Sequence, residues 1–259
     1  MDGGGGLMGA RIRPGVLAEA QTLFDLTDDP NGPRATMHGV EGHRGRMRTR
    51  LLTAGPDALA DHEMLEMLLF LALPRRDTKP VARLLLDRFG SFEAVISAVP
   101  AQLMAVEGVS EAGAAALKLV QGASLRLLRD TIREKPILKD WNRLLDYLIA
   151  ALAHERVEQA RVLFLDAKNR LLADEIQGRG TINHTMVYPR EIVRRALELN
   201  ALAIILVHNH PSGDPEASRE DMAMTKNVQR AAAALGIALL DHIIIAGTRW
   251  VSFQREGWL

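Results

Sequence analysis

Apolar residues recur every three to four positions between about residue 49 and residue 133, then change period after residue 158. In the first stretch, "DHEMLEMLLFLAL" from Asp61 has an acidic helix-start candidate and an apolar stripe at helical spacing. "KPVARLLLDRFGS" from Lys79 has proline at its start and Gly90 at its end, the usual asymmetry of a helix. "SFEAVISA" and "PAQLMAVEGVSEAGAAALKLVQGASLRLLRD" continue the pattern, which predicts four to five short helices. The periodicity breaks at "EKPILK", residues 134–139, where a linker is expected. "DWNRLLDYLIAALAH" then reads as a further helix capped by Asp140, assigned to the second half.

Beyond Glu158 the chain alternates in character. "ARVLFLDAKNRLLADEIQGRG" reads as two strands joined at "DAKN". "YPREIVRRALELN" reads as a helix with Pro189 near its start, and "ALAIILVHNH" as a buried central strand. "SREDMAMTKNVQRAAAALG" is a helix ended by Gly236, and "IALLDHIIIAGTRWVSF" gives two final strands broken at residues 246–248. The fold class is therefore α/β in the α+β sense: a C-terminal mixed sheet with flanking helices and a smaller all-α N-terminal domain. The expected division is a weakly ordered tail at 1–46, a helical domain at 47–133 and a sheet domain at 140–259. The tail holds the Gly3–Gly6 run, two further glycine- and proline-rich stretches and a possible amphipathic helix at 16–26. Arg44, Arg46, Arg48 and Arg50 at its end suit a solvated face or a phosphate-contacting arm.

Composition narrows the chemistry. With 32 basic and 32 acidic residues among 259, net charge gives no bulk attraction to nucleic acid. There is no cysteine, which excludes disulfides, thiolate catalysis and thiolate-held zinc. A metal must then rest on histidine and carboxylate. No signal-peptide pattern and no apolar run of about 18 residues is present, so a cytoplasmic protein without a membrane span is expected.

The strand "ILVHNH" places His208 and His210 two residues apart, on one face of the chain. Neutral imidazoles aimed at one point suit zinc, with Zn–N near ~2.0–2.1 Å. "PSGDP" should turn the chain back and bring a carboxylate to them. Asp214 and Asp221 both qualify. Asp214 in "GDP" can instead cap its own turn. Asp221, three residues after Ser218, can equally complete a helix capping box.

H-x-H, seven residues, then S-x-x-D resembles the JAMM signature of the MPN metallopeptidases. "HNHPSGDP", "YPREIVRRAL" and "LLDHIII" resemble the RadC family in particular, from about Arg46 to the end. Ala217 departs from the family, which usually has proline there; loop stiffness is reduced but no ligand is lost. The resemblance implies an MPN-like domain in which His208, His210 and Asp221 ligate zinc, with a fourth position left to water. It implies a glutamate that moves the water's proton; Glu158 in "VEQARVLFLD" matches, with Glu155, Glu175 and Glu191 as competitors. Ser218 would help stabilise the oxyanion or serve simply as the helix cap. His242 would orient a ligand or be a buried structural histidine. The expected activity is hydrolysis of a peptide or isopeptide-like amide bond in an unidentified peptide or protein substrate.

The family also carries an N-terminal helical region. "VEGVSEAGAAALK", with Gly108 and Gly113 around a tight turn, resembles a helix-hairpin-helix unit, which presents backbone amides to a phosphate. Lys118 would add a cation, while Glu107 and Glu111 would oppose one. The rival reading is thus a DNA-associated, repair-related binding protein whose metal site is structural or vestigial. A DNA-processing nuclease ranks third, because one mononuclear site fits peptidase chemistry better than two-metal chemistry.

Overall fold

The computed structural model describes residues 38–133, 135–180 and 187–259. The amphipathic helix at 16–26 and most of the anticipated tail lie outside these residues. Two compact units are distinguished, Met1–Thr49 and Arg50–Leu259. Helix α1, His38–Ala54, begins within the stretch read as tail.

Within the second unit, five α-helices come before the break in periodicity: α2 (Asp61–Ala72), α3 (Lys79–Phe89), α4 (Phe92–Ser97), α5 (Pro100–Met104) and α6 (Glu111–Arg133). They surround their own core of Leu65, Leu69, Val81, Leu85, Leu103 and Leu117. Asp61 is the first helical residue of α2 rather than its cap; the cap position is Ala60, whose N–H donates to Glu63 at 3.0 Å. Gly90 ends α3 in the left-handed conformation at φ 89°, as its position in the pattern predicted. The last of these helices is one 23-residue element, not a short one.

The break at 134–139 is packed. Ile132 just before it and Ile137 within it are buried in the same core as the inner sheet residues Leu163, Ile205 and Ile243. Helix α7 (Trp141–Leu152) follows, and Asp140 caps it by accepting from the Arg143 N–H. Its Leu144, Leu145, Leu148 and Leu152 form a stripe three or four residues apart, all buried. Each such leucine contributes about 1.5–3 kcal/mol by leaving water.

The sheet comprises β1 (Gln159–Leu165), β2 (Leu171–Arg179), β3 (Ala203–Asn209), β4 (Ala238–Ala246) and β5 (Arg249–Ser252), in the order β2-β1-β3-β4-β5. Only β3 and β4 are parallel. The β1–β2 hairpin turns at Asp166–Asn169, with Asn169 at φ 57° and the Asp166 carboxylate accepting from the N–H groups of Lys168 and Arg170. Helices α8 (Pro189–Glu198) and α9 (Arg219–Ala233) cover one face. Helix α7 covers the other. A four-residue helix, α10 (Phe253–Glu256), follows β5. Alternation along β3 sends Ile204 and Leu206 towards α8 and α9, and Ile205 and Val207 towards α7. Among the described residues no helix is long and apolar enough to cross a membrane.

Two connections set up the site. Because β3 and β4 are parallel, the crossover helix α9 must start at the carboxyl end of β3. Because β1 is antiparallel to β3, the start of β1 meets that same end, with Ala160 opposite His208.

Candidate metal centre

His208 is in the last turn of pleat of β3, on the face of Ile204 and Leu206 that α9 covers. His210 follows the strand, its N–H donating to Ile245 O at 2.8 Å. The loop then returns through Gly213, at φ 80°, to Ser218, the cap of α9. Asp221 is in the first turn of that helix. His208, His210 and Asp221 each present a ligand atom within 4.8 Å of the others. His208 Nε2 is 2.9 Å from His210 Nε2 and 3.2 Å from Asp221 Oδ1. His210 Nε2 is 3.5 Å from Asp221 Oδ2.

The two roles weighed for Asp221 divide between its oxygens. Oδ2 accepts from the Ser218 N–H at 2.8 Å and the Ser218 hydroxyl at 2.6 Å, while the Asp221 N–H donates to Ser218 Oγ at 3.1 Å. That is a reciprocal capping box. Oδ1 is the oxygen that faces His208. Asp214 takes a third role, through its backbone: its carbonyl accepts from His210 Nδ1 at 2.8 Å. Its carboxylate accepts from the Glu216 N–H and caps its own turn.

A carbonyl can only accept, so His210 carries its proton on Nδ1 and, when neutral, aims a bare lone pair from Nε2 at the cluster. Lone pairs on His210 and Asp221 thus converge on one point beside His208. A cation at that point would satisfy the convergence, and two imidazoles with one carboxylate are a donor set that a zinc ion accepts. The residues fit the ion that the sequence pattern implied. Electrostatics agree. Burial pushes the Asp221 carboxyl up, but contacts from His208, His210 and Ser218 outweigh it and hold the group well below the usual carboxylate range. The contact with Asp221 raises His210 above its ordinary value against the effect of burial, and Glu158 adds to the rise. The His210 side chain is 17% exposed against 2% for His208, so the cluster opens on the His210 side.

Glu158 is immediately before β1, half-buried, at the end of the sheet where the histidines lie. Its loop is pinned by Asn209, the residue between them. The Asn209 side chain points to the opposite face, accepts from the Gln159 N–H at 2.9 Å and donates to the carbonyls of Glu155 and Val157 at 3.2 Å each. Nothing in the sequence pattern marked Asn209. Glu175 is held by Arg195 in a bidentate pair, and Glu191 pairs with Arg190 and Arg194. Asp241 is structural: its buried carboxylate accepts from the Ser252 hydroxyl and from the N–H groups of Gln254 and His242.

In the helical half, the Lys118 ammonium does not project outward as a phosphate contact would. It donates to the carbonyls of Ile96, Ser97 and Ala98 at 3.1–3.3 Å, closing the end of α4.

A mixed sheet with a crossover helix that brings an acid to two histidines at a strand end fits a JAB-type domain, and the comparisons agree. Residues 138–258 match the family model described as a RadC-like JAB domain. A UPF0758 protein of Rhodobacter capsulatus is 55% identical over 213 residues, 82% of this chain and the whole of that protein. A UPF0758 protein of Ruegeria pomeroyi is 49% identical over 220 residues, 85% of this chain and 98% of that one. The chain belongs to the RadC family.

Proposed function

We propose that the chain is a zinc-dependent hydrolase of the JAMM type that cleaves a peptide or isopeptide-like amide bond. The observation that carries this reading is the convergence of His208 Nε2, His210 Nε2 and Asp221 Oδ1, 2.9 and 3.2 Å apart, at a partly open strand end. A structural zinc site is closed by a fourth protein ligand. Among the described residues no fourth histidine or acid joins the group. When bound, zinc supplies Lewis acidity towards a carbonyl oxygen and lowers the pKa of a coordinated water to about 7.

The chain's own residues do the rest. Glu158 accepts the proton of the attacking water as the C–O bond forms, and returns it to the amine nitrogen as the C–N bond breaks. Of its three competitors, Glu175 and Glu191 pair with arginines, and Glu155 lies further back in the loop that leads to β1. Ser218 supports the oxygen that gains charge, for which its hydroxyl must turn from Asp221 Oδ2. Asn209 holds the segment that bears Glu158.

The test is metal content by mass spectrometry of untagged protein, wild type beside Asp221→Ala. About one zinc per chain, lost in the variant, is expected. A natively folded wild type without metal overturns the reading, and directs attention to duplex and branched DNA at low salt by fluorescence anisotropy. With zinc present, Glu158→Gln should keep the metal and lose turnover in a screen of peptide and isopeptide substrates.

A further inference from the structure

We propose that His242, itself held by Thr225, is a positioning residue that fixes His208 in the Nδ1–H form and turns its bare Nε2 lone pair towards His210 and Asp221. The purpose assigned to it rests on the metal reading above; the hydrogen-bond chain itself does not.

The argument is a count of protons along four groups. Thr225 Oγ1 is 2.6 Å from the Asp221 carbonyl oxygen and 2.6 Å from His242 Nδ1. A hydroxyl has one hydrogen and a carbonyl has none. The Thr225 hydrogen must therefore go to the Asp221 carbonyl, since two oxygens at that distance need a proton between them. The lone pair of Thr225 then faces His242 Nδ1, which must supply the hydrogen. His242 is fully buried, with the Phe253 ring packed against it, tilted by 39°, at 4.4 Å between ring centres. Among the described residues no carboxylate touches its ring; its two nitrogens are taken by Thr225 and His208. A fully buried ring with no counter-charge against it is neutral, because an unpaired charge there would be too costly. A neutral ring with hydrogen on Nδ1 has only a lone pair on Nε2. That Nε2 is 2.8 Å from His208 Nδ1, so His208 must donate there. His208 Nε2 is left without a hydrogen, 2.9 Å from His210 Nε2 and 3.2 Å from Asp221 Oδ1.

The topology makes the chain possible. His242 is opposite Leu206 in the parallel β3–β4 pair, two residues behind His208 on the same face. Thr225 is one helical turn beyond Asp221 on α9. The helix that delivers the carboxylate thus also sets the proton on the first histidine. His210 reaches the same tautomer independently, through the Asp214 carbonyl.

The experiment is long-range proton–nitrogen correlation NMR of the metal-free full chain, labelled at histidine nitrogen, on the alkaline side of imidazole titration. His208 and His242 should both carry hydrogen on Nδ1. His208 protonated on Nε2 overturns the proposal. In His242→Phe, or in Thr225→Val should that variant not fold, the His208 proton should lose its preference for Nδ1. Zinc affinity, read by chelator competition, should fall about 10- to 100-fold. His242→Gln, whose amide can accept from His208 and donate to Thr225, should recover most of it. An unchanged tautomer and affinity in a folded Thr225→Val or His242→Phe protein also rejects the proposal. A wild type with the expected tautomers but no zinc binding sinks the metal reading alone.

Discussion

Lys118 in the helical half and the histidine cluster at the sheet end both gather polar atoms in partly buried places, and they resolve them differently. The Lys118 ammonium meets three backbone carbonyls, donor to acceptor. Burial lowers its pKa, yet the carbonyls that end α4 give the charge a use. At the sheet end, acceptors face acceptors. The Asp221 carboxylate and two ring nitrogens are aimed at each other, and each histidine gives its hydrogen away from the shared point. Buried polarity that closes on itself is architecture. Buried polarity left facing a common point is a site for something that brings positive charge.

Removing Asp221 should have the largest effect. Asp221→Ala should abolish zinc retention while the protein stays folded, because Ser218 still caps the first turn through the N–H of residue 221. Loss of the reciprocal bond to the Ser218 N–H should cost about 1 kcal/mol, seen as a small drop in Tm. If Asp221→Ala bound zinc as the wild type does, the cluster would be no more of a site than Lys118 is.

Asn209→Ala comes next. It strands one N–H and two carbonyls that Asn209 serves across about fifty residues of sequence. Stability should fall by about 2–3 kcal/mol in denaturant titration. Hydrogen exchange at the Gln159 amide should accelerate. Zinc content should not change, since the side chain points to the face opposite His208. A variant that lost zinc but kept the Gln159 amide protected would show that Asn209 serves the histidines and not the Glu158 segment.

Much of this was legible in the chain itself. Period-two and period-three-to-four patterning located the helices and strands, and the turns at Asp166–Asn169 and Gly90 announced themselves by residue type. His208 lies on a strand with His210 just past its end, and Asp221 is in the next helix's first turn, because a parallel crossover leaves few alternatives. Glu158 belongs to that end because an antiparallel β1 must begin where β3 stops. What stayed hidden depends on contacts between elements distant in sequence. Asn209 looks like a spacer until its amide is seen to reach residues 155–159. Thr225 looks like one more polar helix residue until His242 lies beside it. Asp61 looked like a cap because carboxylates favour that place, yet the cap position is one residue earlier, at Ala60, and Glu63 reaches back to the Ala60 N–H. The Lys118 charge suggested an external partner because no pattern shows a lysine turning inward.

Two smaller effects sharpen the helical side. Lys118→Met keeps the stem and removes the ammonium, leaving three carbonyls at the end of α4 to water. A loss of about 1–2 kcal/mol is expected, with zinc content and His208 tautomer untouched. A change in zinc content would join the two regions that the comparison separates. The smallest effect belongs to Glu63, which pairs with Arg50 and accepts from the Ala60 N–H. The Arg50 contact, then the Ala60 bond, hold its carboxyl below the ordinary value. A depressed carboxyl pKa stabilises the fold fully above the unfolded value, about 4.3, and the benefit is lost as pH falls through the lower folded value. Both groups are wetted, so Glu63→Gln should cost under about 1 kcal/mol at neutral pH. The gap in Tm between wild type and variant should close as the solution is acidified; a gap that persisted below the folded value would assign the effect to packing and not to charge.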